Sequence, residues 1–534
     1  MATAALPVST ARSEPTPPAA YVQHEPLSGS ARIWGTLALS AATFMNVLDT
    51  SIANVSLPAI AGDLGVSPNQ GTWVITSFGV ANAIAVPLTG WLSQRFGQVR
   101  LFTASVILFV ITSWLCGLAP NMTTLIFFRI LQGLVAGPMI PLSQALLLSS
   151  YPKALAGTAM ALWAMTTLVA PVMGPLLGGW ITDNISWPWI FYINIPVGFG
   201  AALITWSIFR KRESVIKKLP IDSVGLALLV IWVGALQIML DKGKELDWFH
   251  SGEVIALAII AGVGLIAFVI WELTDQHPVV DLTLFKRRNF WAGALAMSVG
   301  YGLFFGNVVL LPLWLQQYMG YTATQAGMVM APVGLLALLL SPLVGKNIAK
   351  VDPRRFAAFA FMVFAVVLWM RSNFNTQADF KTILIPTVVQ GVAMAFFFIP
   401  LVTITLSGIS PDKIPAASGL SNFVRIVAGS FGTSIATTIW QDRAAMHHAQ
   451  ISEYVNQGSV ATDSAMTGLA RAGLTADQAL GTINRLVDQQ AYMLAANDVF
   501  YVSALIFLCL IPLVYLTRPT RPDASSAKAA AGAH

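Results

Sequence analysis

Asp49 stands in Leu48-Asp49-Thr50-Ser51-Ile52-Ala53-Asn54-Val55-Ser56-Leu57-Pro58, inside an apolar run that begins near Ile33. If that run crosses a membrane, a charge in it costs roughly 2.5–3.5 kcal/mol, so an acid kept there faces a cavity, pairs with a base or relays protons. Arg129, in Arg129-Ile130-Leu131-Gln132-Gly133, is the matching base. Asp49 lies about 16 residues above the start of its run and Arg129 about one turn inside the opposite surface, so at 1.5 Å per residue a pair is geometrically allowed. Two chemistries follow. Protonation of Asp49 breaks the pair and frees Arg129 to act on substrate or water, or the pair is static and kept for specificity. An Asp hydrogen-bonded or protonated for packing alone is the third reading.

Three further motifs offer function. Gly90-Trp91-Leu92-Ser93-Gln94-Arg95-Phe96-Gly97-Gln98-Val99-Arg100 reads as a tight loop. Gly90 and Gly97 permit a turn or a close approach, while Arg95 and Arg100 reach helix C-termini or acids in one conformation only; plain topological anchoring explains the bases equally well. Ala170-Pro171-Val172-Met173-Gly174-Pro175-Leu176-Leu177-Gly178-Gly179 puts Ala170, Gly174 and Gly178 on one helical stripe, with Gly179 beside it. Small residues there let helices touch, and Pro171 and Pro175 predict a hinge at the seam between two halves. Trp187-Pro188-Trp189-Ile190-Phe191-Tyr192-Ile193-Asn194-Ile195-Pro196 is an aromatic belt in which Asn194 caps a helix or lines a path.

The elements that hold these motifs are membrane helices. The chain is 56% hydrophobic and 10% charged, with mean hydropathy +0.70, against about 25% charged residues in soluble domains. Apolar runs of ~20 residues suit helices and exclude a β-barrel. The net charge of +6 comes from bases scattered through short loops, which argues against a nucleic-acid surface. Cys116 and Cys509 lie apart in apolar runs with no ligand spacing, so neither a disulfide framework nor a metal site is expected. Candidate spans are 33–57, 73–92, 101–119, 124–148, 156–181, 190–209, 223–240, 254–272, 289–316, 326–348, 356–372, 382–407, 416–440 and 496–516. The expectation is an all-α membrane protein with fourteen transmembrane helices.

Arg95, Arg100, Arg210, Lys211, Arg212, Lys217, Lys218, Lys286, Arg287, Arg288, Lys346, Lys350, Arg354 and Arg355 fall on one side, while the opposite short loops hold Lys242, Lys244, Arg371 and Lys381. The positive-inside rule makes the first side, with both termini, cytoplasmic. The chain also repeats. Gln70 and Gln325, Pro87 and Pro342, Gly90 and Gly345, and Arg100 and Arg355 are each 255 apart; Gln132 and Gln390, Gly133 and Gly391, and Gly174 and Gly432 are each 258 apart. The expected organisation is a cytoplasmic tail (1–31), a six-helix half (32–212), a linker with an inserted helix pair (213–285), a second six-helix half (286–517) with a long outer loop (441–490), and a tail (518–534). A substrate path between parallel repeats is a transporter arrangement. The cavity candidates are Asn54, Gln132, Asn194, Phe304, Phe305, Asn307, Gln390, Phe397, Asn422 and Arg425, the last suited to acidic substrates.

Gly90 to Arg100 resembles the loop signature of the major facilitator superfamily, Arg129 to Gly133 its fourth-helix motif, and Ala170 to Gly179 its antiporter motif. Leu48 to Val55 with Trp187 to Pro196 is similar to the fourteen-helix drug:proton antiporter branch. Gln70 to Asn82 and Met446-His447-His448-Ala449-Gln450 extend the likeness, over nearly the whole chain, to inner-membrane pumps of Gram-negative tripartite efflux systems. The resemblance implies proton-driven export of hydrophobic drugs and uncouplers through an EmrA-type periplasmic adaptor and a TolC-type outer-membrane channel, with the proton gradient in place of any cofactor. It departs at Gln94, where the family usually has an acid, and at Ala170, usually Gly. No Walker loop, nucleophile elbow or metal cluster is present in the sequence, so a secondary transporter is expected and not an enzyme. A proton-independent facilitator or substrate sensor of the same fold is the alternative.

Overall fold

The computed structural model describes residues 25–152, 155–217, 220–348, 350–456 and 459–519. Most of both expected tails, and Lys218, lie outside the described residues. The first half contains α1 (Gly29–Asp63), α2 (Pro68–Gly71), α3 (Trp73–Ala85), α4 (Thr89–Phe96), α5 (Gln98–Gly117), α6 (Met122–Ala136), α7 (Met139–Ser150), α8 (Ala156–Asn184), α9 (Trp189–Tyr192) and α10 (Asn194–Phe209). Then come α11 (Ser223–Lys242) and α12 (Gly252–Thr274). The second half contains α13 (Arg288–Tyr318), α14 (Ala323–Asn347), α15 (Pro353–Arg371), α16 (Phe380–Leu406), α17 (Ile414–Ser452), α18 (Val460–Arg471) and α19 (Ala476–Tyr515). Among the described residues ten helices are long and apolar enough to cross a membrane, or eleven when α3 and α4 count as one span bent by 62°. Pro87 stands in that bend, where a missing N–H breaks the helix ladder.

Local chemistry sets the helix starts. Asn121, Asp222, Asp352 and Asp379 each accept a backbone N–H from the first turn of α6, α11, α15 and α16. Thr322 with Gln325, and Thr475 with Gln478, form capping boxes on α14 and α19. In the outer segment 441–490 the polar stretch around 463–490 reads as helical from the sequence, and α18 and the start of α19 lie there; beyond that expectation, α17 runs on to Ser452 and α18 begins at Val460. The polar residues of these extensions cover inner faces that still pack, as Trp440 Nε1 donates to the Tyr492 carbonyl at 2.9 Å.

The bases between α4 and α5, after α10, before α13 and between α14 and α15 gather at one end of the bundle. Arg354 there donates to the Thr517 carbonyl, and Arg288 to that of Leu516. This is called the basic end below. The repeated glycines do equivalent work in each half. Gly174 of α8 lies against Ser51 and Ile52 of α1, and Gly432 of α17 against the Gly302 backbone of α13. Gly133 of α6 lies on Phe78 and Ala81 of α3, and Gly391 of α16 on Val333 and Leu336 of α14. Each pair buries backbone on backbone, which apolar lipid would not enforce without such close dispersion contact.

Gly432→Leu is therefore expected to cost about 1–3 kcal/mol or more through overpacking, whereas Gly327→Leu, where a Cβ meets nothing within 4 Å, leaves the fold intact. Thermal unfolding of both variants in detergent checks this; equal midpoints would contradict the packing argument.

Candidate functional site

Asp49, on α1, and Arg129, on α6, are both fully buried and form an ion pair with Nη1 and Oδ2 2.6 Å apart. Gln132, one turn on from Arg129, accepts from Arg129 Nη1 at 2.6 Å and donates from Nε2 to Asp49 Oδ1 at 3.1 Å. Asn194, the first residue of α10, donates to the same oxygen at 3.0 Å. Ser113 of α5 accepts from both amides, at 2.7 Å from Gln132 and 3.2 Å from Asn194. Arg129 Nε donates to the Val74 carbonyl of α3, and its guanidinium lies 4.3 Å from the Phe78 ring centroid and 5.5 Å from that of Phe191. Five helices thus converge on one ion pair, and the three side chains that reach the Asp49 carboxylate, from α6 and α10, are all donors. A proton on Asp49 turns an acceptor into a donor among donors, so the network has to rearrange. Gln132 and Asn194 were expected in the cavity; they are instead sealed inside this network.

The second half holds a related but acid-free arrangement. Arg371, at the end of α15, is fully buried and donates from Nη2 to Gln390 Oε1 at 2.6 Å and to Thr387 Oγ1 at 3.1 Å. Its Nε and Nη1 have no hydrogen-bond partner among the described residues. The 258-residue spacing sets Gln390 opposite Gln132, Thr387 opposite Arg129 and Arg371 opposite Ser113. The guanidinium has moved to the neighbouring helix, and no acid faces it within salt-bridge distance among the described residues. Sequence reasoning placed Arg371 and Lys242 in outer loops; both are buried, because a base at the end of an apolar run reads as a loop.

The other candidates divide by place. Phe304 and Phe397 pack in the aromatic core of the second half with Phe364. Asn307 binds Ser503 Oγ at 3.2 Å, and exposed Asn54 binds the Thr50 carbonyl of its own helix. Asn422 donates to Gln144 Oε1 at 3.1 Å, across the seam between halves. Arg425 donates to Asn422 Oδ1 at 2.7 Å and lies 4.6 Å from the Tyr301 ring centroid. Beyond Tyr301 a cavity of about 390 Å³ opens between α11, α13 and α17, lined by Phe305, Tyr301, Thr433, Thr437, Asp241 and Lys244. Of the expected cavity residues it takes Phe305. Asp241 and Lys244, from the inserted pair, were missed because they follow the apolar part of α11.

The seam is closed at the basic end. A Cβ on Gly90 would fall 2.5 Å from the Ala416 Cβ, Gly419 stands on the Val86 carbonyl, and Gly157 faces Gly345 and Ile348. Gln144 also accepts from Ser418 Oγ. The Gly174 and Gly178 stripe, expected at the seam between the halves, packs on α1 inside the first half, with Ser51 Oγ donating to the Pro171 carbonyl at 3.1 Å. Helix α8 continues past Pro171 and Pro175 to Asn184, and the Pro175 side chain is outside the described residues. The loop motif finds its acid in Glu213, after α10. Its carboxylate accepts the N–H groups of Val99 and Arg100 at 3.0 and 2.9 Å, at the N-terminus of α5, and lies 4.0 Å from Arg100 Nε. Gly97, at φ 88°, makes the turn that exposes those N–H groups. Arg95 stacks 5.4 Å from the Trp91 ring centroid.

Removing one partner of a buried ion pair leaves the other uncompensated, at a cost of about 3–5 kcal/mol, whereas replacing an unpaired buried cation with an apolar chain is close to neutral. Arg129→Met is thus expected to lower the unfolding midpoint well below that of Arg371→Met. Equal losses would mean that Arg371 has an acid partner in the membrane.

Known proteins agree with this architecture. The Major Facilitator Superfamily profile matches residues 39–433. The chain is 52% identical over 498 residues to the multidrug export protein EmrB of Escherichia coli strain K12, covering 93% of this chain and 97% of that one. It is 50% identical, over 93% of this chain and 98% of the other, to the fatty acid resistance protein FarB of Neisseria gonorrhoeae. The crystal structure of the human organic anion transporter MFSD10 superposes with a TM-score of 0.58 at 13% identity, covering 91% of this chain and 100% of that one, which is a likeness of fold. Helical halves, repeated glycines and these matches together place the chain in the major facilitator superfamily, among its EmrB-type members.

Proposed function

We propose that this chain is a proton-driven multidrug efflux transporter of a Gram-negative inner membrane, exporting hydrophobic and weakly acidic compounds by alternating access. The observation that carries the reading is Asp49: a fully buried carboxylate with Arg129, Gln132 and Asn194 as its partners, linking α1, α6 and α10. A proton there exchanges an ion pair for a neutral acid and frees α1 from two neighbours. The seam closed at the basic end supports alternation, since one end of a two-half carrier must shut while the other opens. In this reading all fourteen apolar stretches cross the bilayer, α3 with α4, α6 with α7 and α9 with α10 each forming one span, and both termini are cytoplasmic. The basic end is then the cytoplasmic one, by the positive-inside rule. The relatives' names, multidrug export and fatty acid resistance, support drugs and amphiphilic acids as cargo. The helical extensions of α17 and α19, with α18, are the surface offered to an EmrA-type adaptor leading to a TolC-type channel.

In proteoliposomes carrying a pH gradient, Asp49→Asn should abolish substrate-driven proton flux and gradient-driven export of an acidic uncoupler, while binding of that uncoupler remains measurable. Unaltered proton-coupled export in this variant would refute the role given to Asp49 and favour a facilitator.

Arg425 adds a positive charge with no acid within salt-bridge distance among the described residues, behind Tyr301 of the cavity lining. Arg425→Ala is expected to weaken export of acidic uncouplers roughly tenfold, about 1.4 kcal/mol of binding, with little effect on lipophilic cations. Equal loss for both classes would assign Arg425 to structure.

A further inference from the structure

Outside the Asp49 network a second buried carboxylate has no base within salt-bridge distance among the described residues. Glu272, in the last turn of α12, is 3% exposed. Its Oε2 accepts the Val280 N–H at 3.1 Å, while Oε1 has no hydrogen-bond partner among the described residues. Asp222, the N-cap of α11, accepts the Gly225 N–H at 2.8 Å, and Nε1 of Trp271 lies 3.0 Å from both of its carboxylate oxygens. A Cβ on Gly225 would run into Asp222 Oδ2 and Glu272 Oε1 together, so the two carboxyl groups aim at one buried point over that glycine. The charged groups acting on Glu272 are Asp222 and Asp275, both acids. Lys413, the base that reaches the following segment, is 2.8 Å from Asp281 instead.

A buried carboxylate that faces a second, half-buried carboxylate is disfavoured as an anion. A buried oxygen left without a partner adds its own desolvation penalty. A single proton removes both costs, because it turns two facing acceptors into an O–H donor and an acceptor. We propose that Glu272 and Asp222 form a second proton-binding site, with one proton shared between Glu272 Oε1 and Asp222 Oδ2, independent of Asp49.

The site holds a wedge. Glu272 anchors the Val280 backbone, and Val279, Val280 and Leu284 are buried in one apolar cluster with Val86 of the first half and Ala417 and Leu420 of α17. The Asp281–Lys413 pair fastens the same segment to the start of α17. There burial works to raise the Asp281 pKa, but Lys413 and the Thr283 hydroxyl and N–H outweigh it and hold the carboxyl below its ordinary value. Asp281 therefore stays charged when the Glu272 site changes. Loss of the shared proton sets two anions against each other at the root of the inserted pair, pushes α11 from α12, and loosens the wedge that crosses the closed seam.

The test uses the full chain in phosphatidylcholine nanodiscs. Infrared spectra at neutral pH should show a protonated carboxyl band that is lost in Glu272→Gln, kept in Asp49→Asn, and shifted in Asp222→Asn, where the acceptor becomes an amide. The folded state holds a proton that the unfolded chain releases, so raising the pH from the ordinary carboxylate range to neutrality should lower the unfolding midpoint of the wild type. Glu272→Gln, whose amide donates permanently, should flatten that dependence. A wild-type spectrum without the band, a band that Asp222→Asn does not move, or the same pH dependence in wild type and Glu272→Gln would overturn the proposal. If Glu272→Gln fails to fold, the shift in Asp222→Asn alone decides.

Discussion

The constraint on which the structure depends is that a charge inside an apolar bundle must be answered at once by partners of opposite character. Asp49 is answered by a guanidinium and two amides, each held by a different part of the chain. Arg129 in turn donates to the Val74 carbonyl and to Gln132 and lies against two aromatic faces, with Nη2 left without a hydrogen-bond partner among the described residues. Removing water from such a pair costs several kcal/mol per ion, and hydrogen bonds to the remaining lone pairs are what make it tolerable. The consequence is geometric. Helices α1, α3, α5, α6 and α10 cannot slide independently without stranding one of these groups, so the charge fixes their register as surely as packing does.

The two halves share a backbone plan and differ in what they do with it. Gly174 and Gly432, and Gly133 and Gly391, keep equivalent helix contacts across the repeat. At the position of the Asp49 network, however, the second half has Arg371, Gln390 and Thr387 with no carboxylate. A site without an acid has no proton to trade near neutral pH, because a guanidinium does not release one. Under the proposed function, the duplicated fold carries its charge switch in the first half and a constant buried cation in the second, an asymmetry by which one proton event would act on one half only.

Much of this was legible in the sequence, for physical reasons that can be named. Asp49 stood out because an acid interrupts a long apolar run, and Arg129 because its depth matched. The repeat showed through Gln, Pro, Arg and Gly at spacings of 255 and 258, the glycines marking places where helices approach closely. Residues at the ends of apolar runs were misread: Arg371 and Lys242 looked like loop bases, yet their stems reach back into the bundle. In the outer segment 441–490 the helical character around 463–490 was legible, while the run of α17 on to Ser452 was not, because amphipathic helix extensions carry as many polar residues as loops do. Gln132 and Asn194 were given to the cavity because a polar residue at mid-span does not reveal which way it faces. Glu213 was missed altogether, since its partners are backbone N–H groups more than a hundred positions away and leave no local pattern.

Helix α1 joins the proton site to the rest of the machine. Asp49 lies on it two and three residues from Ser51 and Ile52, and those two meet the small-residue face of α8 with no room for even a Cβ between them. The far end of α8 is the seam itself, where Gly157 meets Gly345 and Ile348 of the second half. Close-packed helices transmit displacement because interiors compress little. Under the proposed function, a proton that releases α1 from Arg129 and Asn194 would have its effect carried by α8 to the contact that closes the basic end. Small residues at 174 and 178 are needed for that transmission as well as for packing: a looser fit would let α1 shift while α8 stayed still, and the proton would be spent without opening the seam.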